Sequence, residues 1–141
     1  MNIIEAANYL VFLSNQPGEK PVTHLKLQKL LYLAQGWSYY WENKPLFKDG
    51  FEAWTYGPVN IKVYQRFKEF GSSPIPFDGV KNWNVDAEEK DILEAVWAKY
   101  RSYSPSRLVE LSHRQAPWRE AFESDRMIAN EAIKEFFQSH Y

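Results

Sequence analysis

The chain has 141 residues, 17 Lys+Arg against 18 Asp+Glu, a formal net charge of −1, 17% aromatic side chains and no cysteine. A domain of this length buries roughly two thirds of its unfolded surface and can fold alone. Charge balance argues against a nucleic-acid binder that works by neutralising phosphates, the missing cysteines exclude disulfides and thiolate chemistry, and 6 Trp, 9 Tyr and 9 Phe mark a globular chain.

Met1-Asn2-Ile3-Ile4-Glu5 has no basic segment before an apolar run, and no stretch approaches the ~18 apolar residues of a membrane span. A cytoplasmic protein is expected. Ile3, Ala7, Leu10, Val11 and Ser14 recur at helical spacing, so a first helix is predicted over 3–15, ended by Asn15-Gln16-Pro17-Gly18. Thr23 is a candidate N-cap for a second helix to about Asn43, roughly 30 Å long. Leu27, Leu30, Leu31, Ala34, Trp37, Ser38 and Trp41 fall on one broad face. Gln28, Tyr32, Gln35 and Tyr39 form a second stripe, which must find hydrogen bonds inside the fold or meet a partner.

Phe51–Tyr56 reads as a short aromatic strand, with Pro45–Phe47 its expected partner. Gly57-Pro58 is expected to stop it and open a third helix from about Val59 to Phe70, with Val59, Val63, Phe67 and Phe70 on one face and Gly71 after its end. Ser72 to Val85 is a loop. Asp86 and Glu89 form a capping box for a fourth helix, whose Ile92, Leu93, Val96, Trp97 and Tyr100 make an apolar stripe. Ser104-Pro105 opens a short helix to about His113, and Pro117 another through Phe122. Asn130 or Asp125 caps the last, with Ile133, Phe136 and Phe137 facing inward. The expected fold is mainly α: one compact domain over residues 1–141, about six helices around a long central helix at about 24–43, with a small β element near 45–56.

No catalytic constellation emerges. His24, His113 and His140 stand far apart without ligand spacing, and there is no Gly-rich phosphate loop or nucleophile elbow. No cofactor or metal is expected, and the chain reads as a non-enzyme. Lys26 and Lys29 read as solvent-facing lysines or as steering charges for an acidic partner. Tyr56-Gly57-Pro58 is either a bare corner or an exposed corner with an aromatic anchor. His113, just before Pro117-Trp118, either stabilises its helix end or donates to a partner.

Thr23-His24-Leu25-Lys26-Leu27-Gln28-Lys29-Leu30-Leu31-Tyr32-Leu33-Ala34-Gln35-Gly36-Trp37 is similar to the signature helix of SocA-like antitoxins, also called the Panacea domain. The likeness continues through Pro45-Leu46-Phe47, Phe51 to Val59, Val63-Tyr64, Leu111-Ser112-His113 and Pro117-Trp118, and ends with Ile128, Ile133 and Phe137. The resemblance implies a protein, bacterial or phage-associated, that neutralises a toxin encoded beside it. It implies a cognate toxin as partner and, in an adaptor role, an ATP-dependent protease that receives the toxin. It carries no catalytic residues. The expected contact residues are Lys26, Lys29, Tyr32, Tyr56, Pro58, His113 and Trp118. Alternatives of other classes are a proteolytic adaptor, a small enzyme built on His113, and a phage-associated structural protein; no membrane partner is expected.

Overall fold

The computed structural model describes residues 1–141. The chain forms seven α-helices, most of them packed around the second: α1 (Ile3–Ser14), α2 (His24–Glu42), α3 (Ile61–Phe67), α4 (Ala87–Tyr100), α5 (Pro105–His113), α6 (Ala116–Phe122) and α7 (Asn130–His140). Three short strands, β1 (Phe51–Trp54), β2 (Gly57–Val59) and β3 (Met127–Ile128), form an antiparallel sheet in the order β2-β1-β3. The mainly helical architecture with a small β element matches expectation.

Helix α2 is the axis. Thr23 caps it, its hydroxyl accepting from the Lys26 N–H, and Asn43 ends it in the left-handed region at φ 54°. Every residue from Lys26 to Tyr39 is buried, because α1, α3, α4, α5, α7 and β2 pack around it. Three of the four members of the polar stripe, Gln28, Tyr32 and Gln35, are satisfied inside. Gln28 accepts from the Asn60 N–H (2.9 Å) and donates to the Asn60 carbonyl (3.2 Å). Gln35 accepts from both the Leu46 and Phe47 N–H groups (2.9 Å each) and donates to the Phe47 carbonyl (2.9 Å). The Tyr32 hydroxyl donates to Gln115 Oε1 at 2.7 Å. These amides stand in for a neighbouring strand, tying loops to the central helix that would otherwise bury bare backbone.

Those bonds explain why Pro45–Phe47 does not pair with β1. The Leu46 and Phe47 N–H groups belong to Gln35, and Pro45 has none, so β1 pairs instead with β2 (Ala53↔Pro58) and β3 (Glu52↔Met127). Gly57 and Pro58 therefore lie in a strand and do not open a helix. Pro58 is tolerated because β2 is an edge. Asn60 caps α3, which is shorter than expected and passes into a 3-10 turn at Lys68–Phe70. At the last helix, Ala129 occupies the cap position and Asn130 is already helical. Asp125 instead accepts from the Met127 N–H at the entry to β3. Phe136 is half-buried, with only Ile133 and Phe137 enclosed. The capping box of Asp86 and Glu89, the α4 stripe and the Ser104-Pro105 start all form as predicted.

Candidate partner-binding site

Thr55 and Tyr56 join β1 to β2, and the chain leaves this turn through Gly57 at φ +109°. Only glycine adopts that angle without strain. A Cβ there would also stand 2.5 Å from Lys29 Cε and 2.8 Å from Ser112 Oγ. The close approach lets three carbonyls around the turn be bound from beneath. Trp118 Nε1 donates to the Trp54 carbonyl (2.8 Å), His113 Nε2 meets the Thr55 carbonyl (2.9 Å), and Lys29 Nζ donates to the Pro58 carbonyl (3.0 Å). A carbonyl only accepts, so His113 carries its proton on Nε2 here.

The clamps come from three helices, and the sequence supports each. Ser104 and Pro105 start α5, which ends at His113. The α5–α6 corner is pinned by Tyr32 through Gln115, and Pro117 sits in the first turn of α6. The His113 ring stacks on Trp118 (4.0 Å between centroids, 22°), Trp118 on Phe122 (4.7 Å, 19°), and the Arg126 guanidinium lies 3.9 Å above Phe122. Tyr56, at the tip, is 66% exposed.

Lys29, Tyr56, Pro58, His113 and Trp118 thus converge on one hairpin, with Tyr32 one hydrogen bond further in. Lys26 stands apart: its Nζ donates to the Arg101 carbonyl (2.7 Å) at the end of α4 and lies 5.3 Å from the Trp97 centroid. Neither lysine faces solvent as expected. Each ammonium finds a backbone carbonyl in place of water, and Lys29 and Tyr32 are wholly buried. They shape the hairpin from beneath, while Tyr56 and the half-buried His113 reach its surface.

Beside Tyr56 lies a groove of about 580 Å³ between the outer face of the sheet, the start of α2 and α3, lined by Trp54, Tyr64, His24, Glu52 and Arg126 among others. Sequence reasoning did not single these out. The alternation of half-buried Glu52 and Trp54 with buried Phe51 and Ala53 is the period-2 signal that marks them as one face.

Burial holds His24 below its ordinary value, with Lys29 adding repulsion, so His24 is neutral at neutral pH. Burial alone pushes Lys29 down to about 7, and burial outweighs the pull of Glu19 to lower Lys26, with Lys20 adding repulsion. Every buried side-chain nitrogen and oxygen has a partner, and no three acidic or imidazole groups converge to hold a metal ion. His113 is bonded to backbone and stacked on Trp118, with no Lys or carboxylate hydrogen-bonded to it. The arrangement presents a braced surface.

Trp118→Phe keeps an aromatic ring to stack on His113 and removes the donor to the Trp54 carbonyl together with the ring that carries it. It is expected to lower unfolding stability by about 1 kcal/mol, measured by urea denaturation; an unchanged midpoint would show that this clamp contributes nothing.

The family described as Antitoxin SocA-like, Panacea domain, matches residues 27–119, a stretch that contains α2 from Leu27 on, the hairpin and all three clamping side chains. The chain is similar to Antitoxin SocA of Caulobacter vibrioides (strain NA1000 / CB15N), 34% identical over 110 residues that cover 70% of this chain and 58% of the relative. The chain therefore spans less than two thirds of that relative's length. No solved structure matches it.

Proposed function

Because the chain belongs to the SocA-like antitoxin, Panacea domain family, we propose that it is an antitoxin which neutralises a cognate toxin by direct contact and without catalysis. The surface offered is the hairpin tip and the groove beside it. The observation that supports this reading is Tyr56, held out at 66% exposure on a turn whose flanking carbonyls are bound by three different helices. An aromatic anchor that is already rigid loses little conformational freedom on docking, and a few such anchors dominate interfaces of roughly 1,600 Å². No helix of the chain is long and apolar enough to cross a membrane, and the proposal places the protein with its toxin in the cytoplasm.

Co-expression with the product of the adjacent gene tests it. The neighbour is expected to be toxic alone, harmless beside this chain, and recovered in complex with it. Tyr56→Ala should weaken the complex by about tenfold or more while leaving thermal stability unchanged. A neighbour harmless alone, or a Tyr56→Ala protein that binds like wild type, overturns the assignment. The half-life of the toxin separates inhibition from delivery to an ATP-dependent protease. Unchanged turnover is expected, and faster turnover in the presence of this chain would transfer the reading to delivery.

A further inference from the structure

The groove beside Tyr56 has a chemistry of its own. Three rings, Trp54, Tyr56 and Tyr64, line it, with Trp54 and Tyr64 4.8 Å apart at 59°. Among them stands Glu52, half-buried, which accepts from Trp54 Nε1 through Oε1 (3.1 Å) and leaves Oε2 without a hydrogen bond. No Lys, Arg or His of the chain lies within ion-pair distance of Glu52. Arg126, which lines the same groove, is committed elsewhere: its Nε donates to the Phe122 carbonyl (3.0 Å) and its guanidinium is stacked on the Phe122 ring. His24, the remaining polar ring of the groove, is neutral because burial lowers it, and its Nε2 is occupied by Gln28.

An unpaired carboxylate flanked by open aromatic faces is complementary to a cation. The ring quadrupoles attract the charge, the flat faces cover its apolar stem, and the carboxylate supplies the counter-ion. Of the three groove rings only Tyr64 has a cation of the chain near it, Lys68 Nζ at 5.9 Å from the centroid; none lies over Trp54 or Tyr56. We propose that this groove receives an arginine or lysine side chain of the bound partner, which stacks on Trp54 and Tyr56 and pairs with Glu52. The proposal rests on the hairpin being the partner-binding surface and adds what the partner must present there.

The Trp54 indole N–H, hydrogen-bonded to Glu52, is a direct reporter. The test is an NMR titration of the intact chain with N-acetyl-arginine amide at constant ionic strength, with the neutral isostere N-acetyl-citrulline amide as control and Trp54→Phe to assign the signal. A saturable shift of the Trp54 signal is expected with the arginine compound at tens of millimolar, with no comparable response at the other tryptophans. Citrulline, or Glu52→Gln with arginine, should bind about tenfold more weakly or not at all. Glu52→Gln keeps an acceptor for the Trp54 indole, so its fold is retained, and an unchanged spectrum elsewhere checks this. No arginine shift, equal shifts with citrulline, or full binding by Glu52→Gln overturns the proposal. Because no toxin enters this experiment, its failure leaves the antitoxin reading standing, and failure of the co-expression test leaves this result standing.

Discussion

Gly36→Ala is expected to destabilise the fold by about 2–3 kcal/mol, although alanine is the better helix former by about 1 kcal/mol. Gly36 sits inside α2 where α7 crosses it. A Cβ there would overlap Cε1, Cζ and Cδ1 of Phe137. The ring cannot swing away, since it is wholly buried and boxed by Tyr32 (6.1 Å), Trp37 (5.6 Å) and Tyr141 (5.6 Å). The added methyl must therefore lift α7, which also loosens Gln138 from the Tyr39 carbonyl. Urea unfolding measures the loss. Combining the change with Phe137→Leu supplies the diagnosis: two substitutions in direct contact should show a favourable coupling of about 1–2 kcal/mol, because the smaller side chain vacates the space the methyl needs. A Gly36→Ala protein as stable as wild type, or strictly additive effects, would mean that α7 is not seated on Gly36 in solution.

The residues of α2 also show where a sequence is legible and where it is not. Both ends of the helix are written locally, in the Thr23 hydroxyl and the left-handed Asn43, and the same holds for the capping box at Asp86 and the Ser104-Pro105 start. Apolar spacing likewise places the α4 stripe. What a helical period cannot show is which polar side chains on an otherwise apolar helix have a carbonyl waiting. Lys29 is spaced like a solvent-facing lysine, yet the Pro58 carbonyl, twenty-nine positions along the chain, makes it an interior clamp. Pro58 itself carries two opposite local meanings, helix start and edge strand, and only pairing with Ala53 decides between them. The two-residue strand β3 has no signal of its own; it exists because β1 leaves an edge for it. The candidate contact residues behave alike. The sequence names them without saying which face they share; only the fold shows that Lys29, His113 and Trp118 hold the turn of Tyr56 from below, that Lys26 stands apart, and that Glu52 and Trp54 stand beside Tyr56.

Lys29 makes the stability of this fold depend on pH in a direction opposite to an ordinary salt bridge. Its ammonium is wholly buried against the Pro58 carbonyl, no carboxylate lies within ion-pair distance, and the nearby His24 adds no negative charge. Burial pushes it down to about 7, whereas the unfolded chain keeps the ordinary 10.5. Between those values the unfolded state holds a proton that the folded state lacks, so stability rises with pH across the window, by up to roughly 1.4 kcal/mol per pH unit. Below about 7 both states are charged and the full cost, on the order of 5 kcal/mol, is constant. Lys26, lowered in the same direction, adds to the slope. Above about pH 10 the sign reverses: Tyr32 is raised by burial and Tyr100 is pushed up to about 12, so the unfolded tyrosines lose protons first and the fold weakens. Urea midpoints of the wild-type chain should therefore climb from pH 7 to about 9.5. Lys29→Met removes the charge, keeps the length and leaves the Pro58 carbonyl without its donor, a loss of about 1–3 kcal/mol. The variant should be the more stable protein at pH 6, and its advantage should shrink by roughly 3 kcal/mol by about pH 9.5. A flat wild-type profile, or a Lys29→Met profile with the wild-type slope, would show that the buried ammonium is not the source of the dependence. The outcome bears on binding as well, because the same lysine anchors the strand that leads away from Tyr56.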